Sequence, residues 1–244
     1  MTFHERYPQE VFSRFESILS QAPSQAAQLI VQSVAQGGIL HTFGSGHSSL
    51  VAAEIVGRSG ALVPVNQIID RSEDLAERLE GYGLQLMEFY HQQYQLKAGE
   101  VVIIISNSGI NPLPIEVALS AKSRELKVIS ISNVSQSRQS LSRHSSQKKL
   151  FELADISLDS YSPIGEAAFS HPEGYKLGTI ASLTSLFIIN LLMVESVEGL
   201  LERSSPPIFI SENAPFRHSH YSSADDYNKA LRLRYQGRLR RAGV

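Results

Sequence analysis

Residues 9–36 carry apolar side chains at helical spacing, with Val11, Phe12, Phe15, Ile18 and Leu19 before Pro23 and Ala26, Leu29, Ile30 and Val34 after it, which predicts two amphipathic helices. Five short apolar runs follow, at 39–43, 61–65, 101–105, 127–131 and 156–158, each ending in a polar or glycine-rich turn. The first, third and fourth are almost wholly apolar and β-branched rather than alternating. Such strands are covered on both faces, as in a parallel sheet between helices. The expected fold is therefore α/β and doubly wound, with a mainly parallel five-stranded sheet. Residues 177–201 are the longest apolar helical candidate. Gly178, Asn190, Glu195 and Glu198 interrupt it, which suits a core or subunit-interface helix better than a bilayer. The serine-rich stretch 135–146 is expected to be a polar connection into the last strand. A short run at 208–210 precedes a polar loop and a basic helix that starts near Ser223.

Composition narrows the picture. With 244 residues, 42% of them apolar and 19% charged, the chain suits one domain over 1–244, with a core at about 25–200 and terminal extensions. It contains no cysteine, so no thiolate can act as nucleophile or metal ligand. The amino terminus lacks a basic region followed by an apolar run, and the expectation is a cytoplasmic protein that does not enter a membrane. A net charge of −2 gives no general attraction to nucleic acid. An anionic ligand has to be held locally.

Two turns have the chemistry to do that. Gly44, Ser45, Gly46, His47 and Ser48 lie between the strand ending at Phe43 and a helix expected over 49–59. Glycines allow close backbone approach to an anion, and amides and serine hydroxyls can donate to phosphate oxygens. A Gly-x-Gly turn can also serve tight packing alone. The third glycine of a dinucleotide fingerprint and a Walker lysine are both missing. The second turn, Ser106, Asn107, Ser108, Gly109, Ile110 and Asn111, again follows a buried run, and Pro112 and Pro114 mark the start of a helix. Two such turns at the carboxyl end of one sheet point to phosphate binding at helix N-termini, through Ser45, Gly46, His47, Ser48, Ser106, Asn107, Ser108 and Asn111.

Around these turns the sequence resembles the sugar isomerase (SIS) family. VVIIISNSGINPLPIEVALSAKSRELKVISISN is similar to that family's strand, serine-rich phosphate loop, helix and strand, and ILHTFGSGHSSLVAAEIVGRSGAL to its first strand, loop and helix. The resemblance covers roughly residues 25–200. Asn111 stands where the family loop usually has threonine, which changes the reach of the polar group. GSGHS, SNSGIN, SRHSS at 142–146 and PPIFISEN are most similar to uncharacterised bacterial sugar isomerase domain-containing proteins. The resemblance implies a phosphorylated sugar as ligand and a homo-oligomer, dimer or tetramer, with sites near subunit interfaces. It does not fix the reaction.

Aldose–ketose isomerisation needs a base to move a proton between adjacent carbons and a second group to manage the oxygens. Glu54, among Val51, Ala52, Ala53, Ile55 and Val56, is the expected base, and its position resembles that of a catalytic glutamate in some sugar isomerases. The structural alternative is an i, i+4 ion pair with Arg58. His47 can donate to phosphate or handle a sugar oxygen, or be a loop histidine held by backbone carbonyls. For His144, His171 and Glu166 a structural or exposed position is favoured over a role in the crevice. The His218 and His220 pair lacks an obvious third ligand, so no metal is expected. Glu77, Arg78 and Glu80 read as a charged helix face. Arg232, Arg234, Arg238, Arg240 and Arg241 read as a solvated basic helix. The leading function is a phosphosugar isomerase that needs no cofactor. A phosphosugar lyase or etherase would use the same proton abstraction, and a non-catalytic phosphosugar sensor would need the loops but no base.

Overall fold

The computed structural model describes residues 2–21, 23–72, 75–203 and 205–240. Its elements are α1 (Phe3–Ser20), α2 (Ser24–Ala35), β1 (Leu40–Gly44), α3 (Ser48–Glu54), β2 (Val65–Ile68), α4 (Tyr82–Tyr94), β3 (Val101–Ile105), α5 (Pro112–Ser123), β4 (Lys127–Ser132), α6 (Val134–Gln139), α7 (Leu150–Leu153), β5 (Ile156–Asp159), β6 (Ala167–Ser170), β7 (Lys176–Thr179), α8 (Ala181–Leu201) and α9 (Ala224–Arg234). The first five strands form one parallel sheet in the order β2-β1-β3-β4-β5.

The β-branched runs lie where the sheet is covered twice. In β3, Val101, Ile103 and Ile105 face one core with Leu40, Ile129 and Ile131, under α2, α3 and α8. Val102 and Ile104 face the other, with Phe43 and Val128, under α4, α5 and α7. β3 thus buries both of its alternating faces, as its uninterrupted apolar sequence required.

Several boundaries depart from the sequence expectations. Pro64 lacks an N–H, and the second strand begins only after it, at Val65; residues 61–64 run irregularly, with Leu62 in an isolated antiparallel bridge to Ile208. The helix after the first loop stops at Glu54, because Gly57 and Gly60 follow with φ of +65° and +83°. The long apolar helix starts at Ala181, not Leu177. Gly178 sits at φ +74°, in a strand that pairs antiparallel with β6. The serine-rich connection contains a helix, α6, capped by Asn133. The first helix begins earlier than its apolar pattern, fixed by a capping box between Thr2 and Glu5, and it carries Pro8 in its interior. Ser223 is the N-cap of α9. Helix α8 is long and apolar enough to cross a membrane by length and composition alone, yet Ile188, Ile189, Leu192 and Met193 are buried in the core beneath β1 and β3.

Candidate functional site at the β1–β3 switch point

From β1 the chain crosses to β2 on one side, and β3 pairs with β1 on the other. The strand order therefore reverses between β1 and β3. An open parallel sheet has its crevice at such a point, beyond the carboxyl ends of the strands. Gly44 pairs with Ile105 in the β1–β3 register, so Ser45 and Ser106 are the next residues along two adjacent strands. The two loops identified in the sequence flank this crevice together.

Each loop is shaped by a glycine. A Cβ on Gly44 would lie 2.3 Å from the carbonyl oxygen of Ser48, so only glycine lets the first loop turn back this tightly. Gly109 has φ +63°, and its carbonyl accepts from the Leu150 N–H while its own N–H donates to Ser106 Oγ at 3.2 Å.

The hydroxyls are not equivalent. Ser45 is buried and gives its proton to Glu77 Oε1 at 2.9 Å. A hydroxyl has one donor, so Ser45 cannot also donate to a ligand while this bond stands. Ser106 is used as an acceptor by Gly109, which leaves its proton for a ligand oxygen. Asn111 is buried without capping its own helix, and its Oδ1 instead accepts from Arg143 Nη1 at 2.6 Å. Asn107 accepts from Ser162 Oγ at 2.7 Å and donates to Glu166 Oε1 at 3.3 Å, while its backbone carbonyl accepts from the Asn133 N–H.

The first turn of α5 differs from the helix-start donor set expected there. Pro112 and Pro114 have no N–H, and the Leu113 N–H donates to the backbone carbonyl of Glu77 at 3.2 Å. The open donors lie one step earlier. The N–H groups of Ser108, Ile110 and Asn111 meet no acceptor among the described residues, although Ile110 and Asn111 are buried. N–H groups left open in this way suit an acceptor from outside the chain.

His47 is exposed at the start of α3 and caps nothing with its side chain. Glu54 closes α3 and lies 3.3 Å from Arg58, with about a quarter of its side chain exposed. The structure brings Ser45, Ser106, Asn107 and Asn111 into one crevice with Glu77 and Glu166, while among the described residues the Glu54 carboxylate pairs with Arg58. Glu166, at φ +71°, is exposed and reaches Asn107 from the loop after β5.

Glu77 was hidden in the sequence. The segment 75–81 is a series of turns and not a helix face, and it is fastened at several points. Glu80 accepts from the Ser145 N–H at 2.7 Å, and the hydrogen bonds from Ser145 hold its carboxyl below the ordinary range. The Gly81 and Gly83 N–H groups donate to the buried carboxylate of Glu116, and His144, itself buried, lies 3.6 Å from Glu116. SRHSS is thus the strap that ties 75–81 to the second loop. No periodicity could have announced this.

The terminal arginines are not one solvated helix. Arg232 lies over the Phe209 ring at 5.0 Å, and Arg238 enters the protein to pair with buried Glu100; Arg241 is outside the described residues. His218 is exposed and stacks on Phe216. Two cavities, of about 260 and 400 Å³, lie along the outer strand β2 and the C-terminal segment, and neither includes a residue of the two loops.

The SIS domain model matches residues 5–133, which contain both loops and every strand up to β4. The chain belongs to the SIS family. It is 34% identical to a UPF0309 protein of Listeria monocytogenes over 98% of each chain, and 33% identical to one of Caldanaerobacter subterraneus subsp. tengcongensis over 96% of this chain and 98% of the other. The phosphoheptose isomerase GmhA from Neisseria gonorrhoeae shares the fold, with a TM-score of 0.54 and 19% identity over 79% of this chain and 97% of that one. So does the Vibrio vulnificus NanR protein complexed with ManNAc-6P, with a TM-score of 0.52 and 19% identity over 82% of this chain and 64% of that one. The five-stranded parallel sheet is the SIS fold, shared by this phosphoheptose isomerase and by the NanR protein.

Proposed function

We propose that this SIS chain binds a phosphorylated sugar across the β1–β3 switch point and catalyses its aldose–ketose isomerisation by carboxylate proton transfer. The observation that carries the reading is the open donor set of the second loop: three N–H groups without acceptors among the described residues, the free proton of Ser106 and the Arg143 guanidinium beside Asn111. These suit the several acceptor oxygens of a phosphate monoester. Binding energy from the phosphate would hold the reacting carbons in place, with Glu54 as the base and His47 at the sugar oxygens.

A ligand that binds only the folded state raises its stability in proportion to ligand excess over Kd. Phosphorylated sugars are therefore expected to raise the melting temperature, and the matching free sugars at equal concentration to leave it unchanged. Equal shifts from both would defeat the reading. Ser106→Ala with Ser108→Ala should reduce the shift while the ligand-free melting temperature stays close to wild type.

A non-catalytic sensor is the second reading, favoured by one observation: Glu54 is engaged with Arg58. NanR, which shares the fold, was solved with a sugar phosphate bound. Proton NMR in deuterium oxide separates the two, because an isomerase incorporates solvent deuterium at the exchanging carbon and a sensor does not.

We also propose a homo-oligomer with a dimer as its smallest unit. Phe12 and Leu19 on α1 and Val194 and Leu201 on α8 are more than half exposed, an apolar display that a second copy would cover. Light scattering at micromolar concentration should give at least twice the 26.9 kDa chain mass, and a 26.9 kDa species alone would rule the dimer out.

A further inference from the structure

We infer that the crevice takes its ligand in one direction and selects against a second negative charge, because Glu77 makes the first loop an acidic pole facing the phosphate-binding second loop. This rests on the phosphosugar reading and adds to it the class of sugar phosphate: one whose far end is neutral or carries an amine, and not an aldonate or a bisphosphate.

The hydrogen-bond pattern assigns the ends. At the second loop, the donors left over are N–H groups, the Ser106 proton and Arg143. At the first loop the one buried hydroxyl, Ser45, has its proton committed to a carboxylate. The buried part of that side therefore presents acceptors, the second lone pair of Ser45 Oγ and the remaining sites on Glu77, with the His47 ring and the Ser48 hydroxyl at its more exposed rim. Sugar hydroxyls and ammonium groups donate to such acceptors, whereas a second phosphate or a carboxylate cannot.

Glu77 is also held in place. Its backbone carbonyl accepts from Leu113 at the start of α5, and the chain just beyond it is fastened through Glu80 to Ser145 and through Gly81 and Gly83 to Glu116. A Cβ on Gly83 would lie 2.7 Å from that of Glu116, so this junction is packed closely. Among the described residues no Lys, Arg or His lies within ion-pair distance of Glu77. Its charge is therefore not cancelled locally. Glu166, the other carboxylate at the loops, is exposed on the β5 side of Asn107, where solvent screens it. Selection by placing a like charge where the wrong ligand would put its own is a common source of specificity.

The test is titration calorimetry on the full-length protein with matched glucose, mannose and galactose series: the 6-phosphate, its 2-amino form, its aldonate and its 1,6-bisphosphate. Wild type should bind the neutral and amino members at least tenfold more tightly than the aldonate and bisphosphate of the same series, about 1.4 kcal/mol or more. Glu77→Gln should bring that ratio below threefold by improving the aldonate and the bisphosphate. Glu77→Asp, which keeps the charge, should retain it. Ser106→Ala with Ser108→Ala should weaken all four ligands without changing the ratio. Wild type binding the aldonate as tightly as the sugar, or Glu77→Gln leaving the ratio unchanged while binding persists, overturns the inference alone. Wild type binding none of the ligands overturns the phosphosugar reading and the inference with it. Should Glu77→Gln fail to fold, loss of discrimination in Glu77→Asp would count against the charge, and retention would support it.

Discussion

Arg238→Ala is expected to lower the unfolding free energy by about 3–5 kcal/mol, the usual cost of removing one partner from a buried ion pair. Arg238 Nη2 lies 2.8 and 2.9 Å from the two oxygens of Glu100, and the side chains are 13% and 3% exposed. The same guanidinium donates to the carbonyl oxygens of Tyr94 and Gln95, which end α4 without intrahelical partners. Its backbone carbonyl accepts from Asn66 of β2, whose Oδ1 accepts from the Arg240 N–H. The side chain thus fastens the C-terminal segment to the end of α4 and the turn before β3, while the backbone around it holds the segment to β2. Glu100 also accepts from the N–H groups of Ile39 and Lys97, so its charge would remain buried and underpaired once the guanidinium is gone. Arg238→Lys should recover only part of the loss, because an ammonium lacks the planar fork. Urea unfolding checks both values, and a loss under 1 kcal/mol for alanine would show that the tail contributes little.

The same cluster sets the acid limb of stability. His41 is fully buried, with Nδ1 2.8 Å from the Tyr90 hydroxyl and Nε2 3.2 Å from Glu100. Burial pushes its pKa below the ordinary 6.5, against the pull of Glu100. Neutral His41 then donates from Nε2 to the carboxylate and accepts from Tyr90, whose own pKa burial raises. Below pH 6.5 the unfolded chain takes up a proton at His41 that the folded protein does not, so stability falls as pH drops from 6.5 toward the lowered folded value. Burial pushes the Glu100 pKa up, but hydrogen bonds from His41, Lys97 and Arg238 outweigh it and the net shift is downward. Its contribution is present above the ordinary 4.5 and is lost as pH falls through the folded value. Melting temperature should therefore decline in two stages, and His41→Gln should remove the first.

How much of this the sequence disclosed depended on whether the signal was local. Residues 101–105 announce a strand without ambiguity, because five β-branched residues in a row fit only a doubly covered position. The two loops were equally legible, since glycine and serine at a strand end have a local meaning. The apolar run 61–65 reads as one strand, but the missing N–H of Pro64 forbids that pairing and the strand begins at Val65. Leu177 reads as helical because it opens the apolar run to Leu201, whereas the left-handed φ of Gly178 marks a strand beside a tight contact with Tyr7. Glu77 and Arg238 were out of reach. Each is placed by partners 32 and 138 residues away, and no spacing along the chain encodes that.

Glu54→Gln is expected to leave phosphosugar binding within about threefold and to lower turnover by 100-fold to 10,000-fold, the usual range for a lost general base. Glutamine keeps the size and one acceptor oxygen of the side chain but cannot hold a proton at neutral pH. The ion pair with Arg58 offers a competing account of the residue, and the two differ in what they predict. Arg58 is nearly two-thirds exposed, so the pair contributes at most about 1 kcal/mol to stability. Were Glu54 only a partner for Arg58, Glu54→Gln and Arg58→Ala would cause similar small losses of melting temperature and leave turnover alike. If Glu54 moves the proton, the substitutions part company: Arg58→Ala keeps most of the activity, while Glu54→Gln keeps the fold and the ligand and loses deuterium incorporation together with isomerisation. Turnover by Glu54→Gln near the wild-type rate would remove it from the mechanism and leave His47 or Glu166 as the group to test next. Binding without turnover in every variant and in wild type would place the chain with the sensors, where the crevice reads a metabolite and the chemistry belongs to another protein.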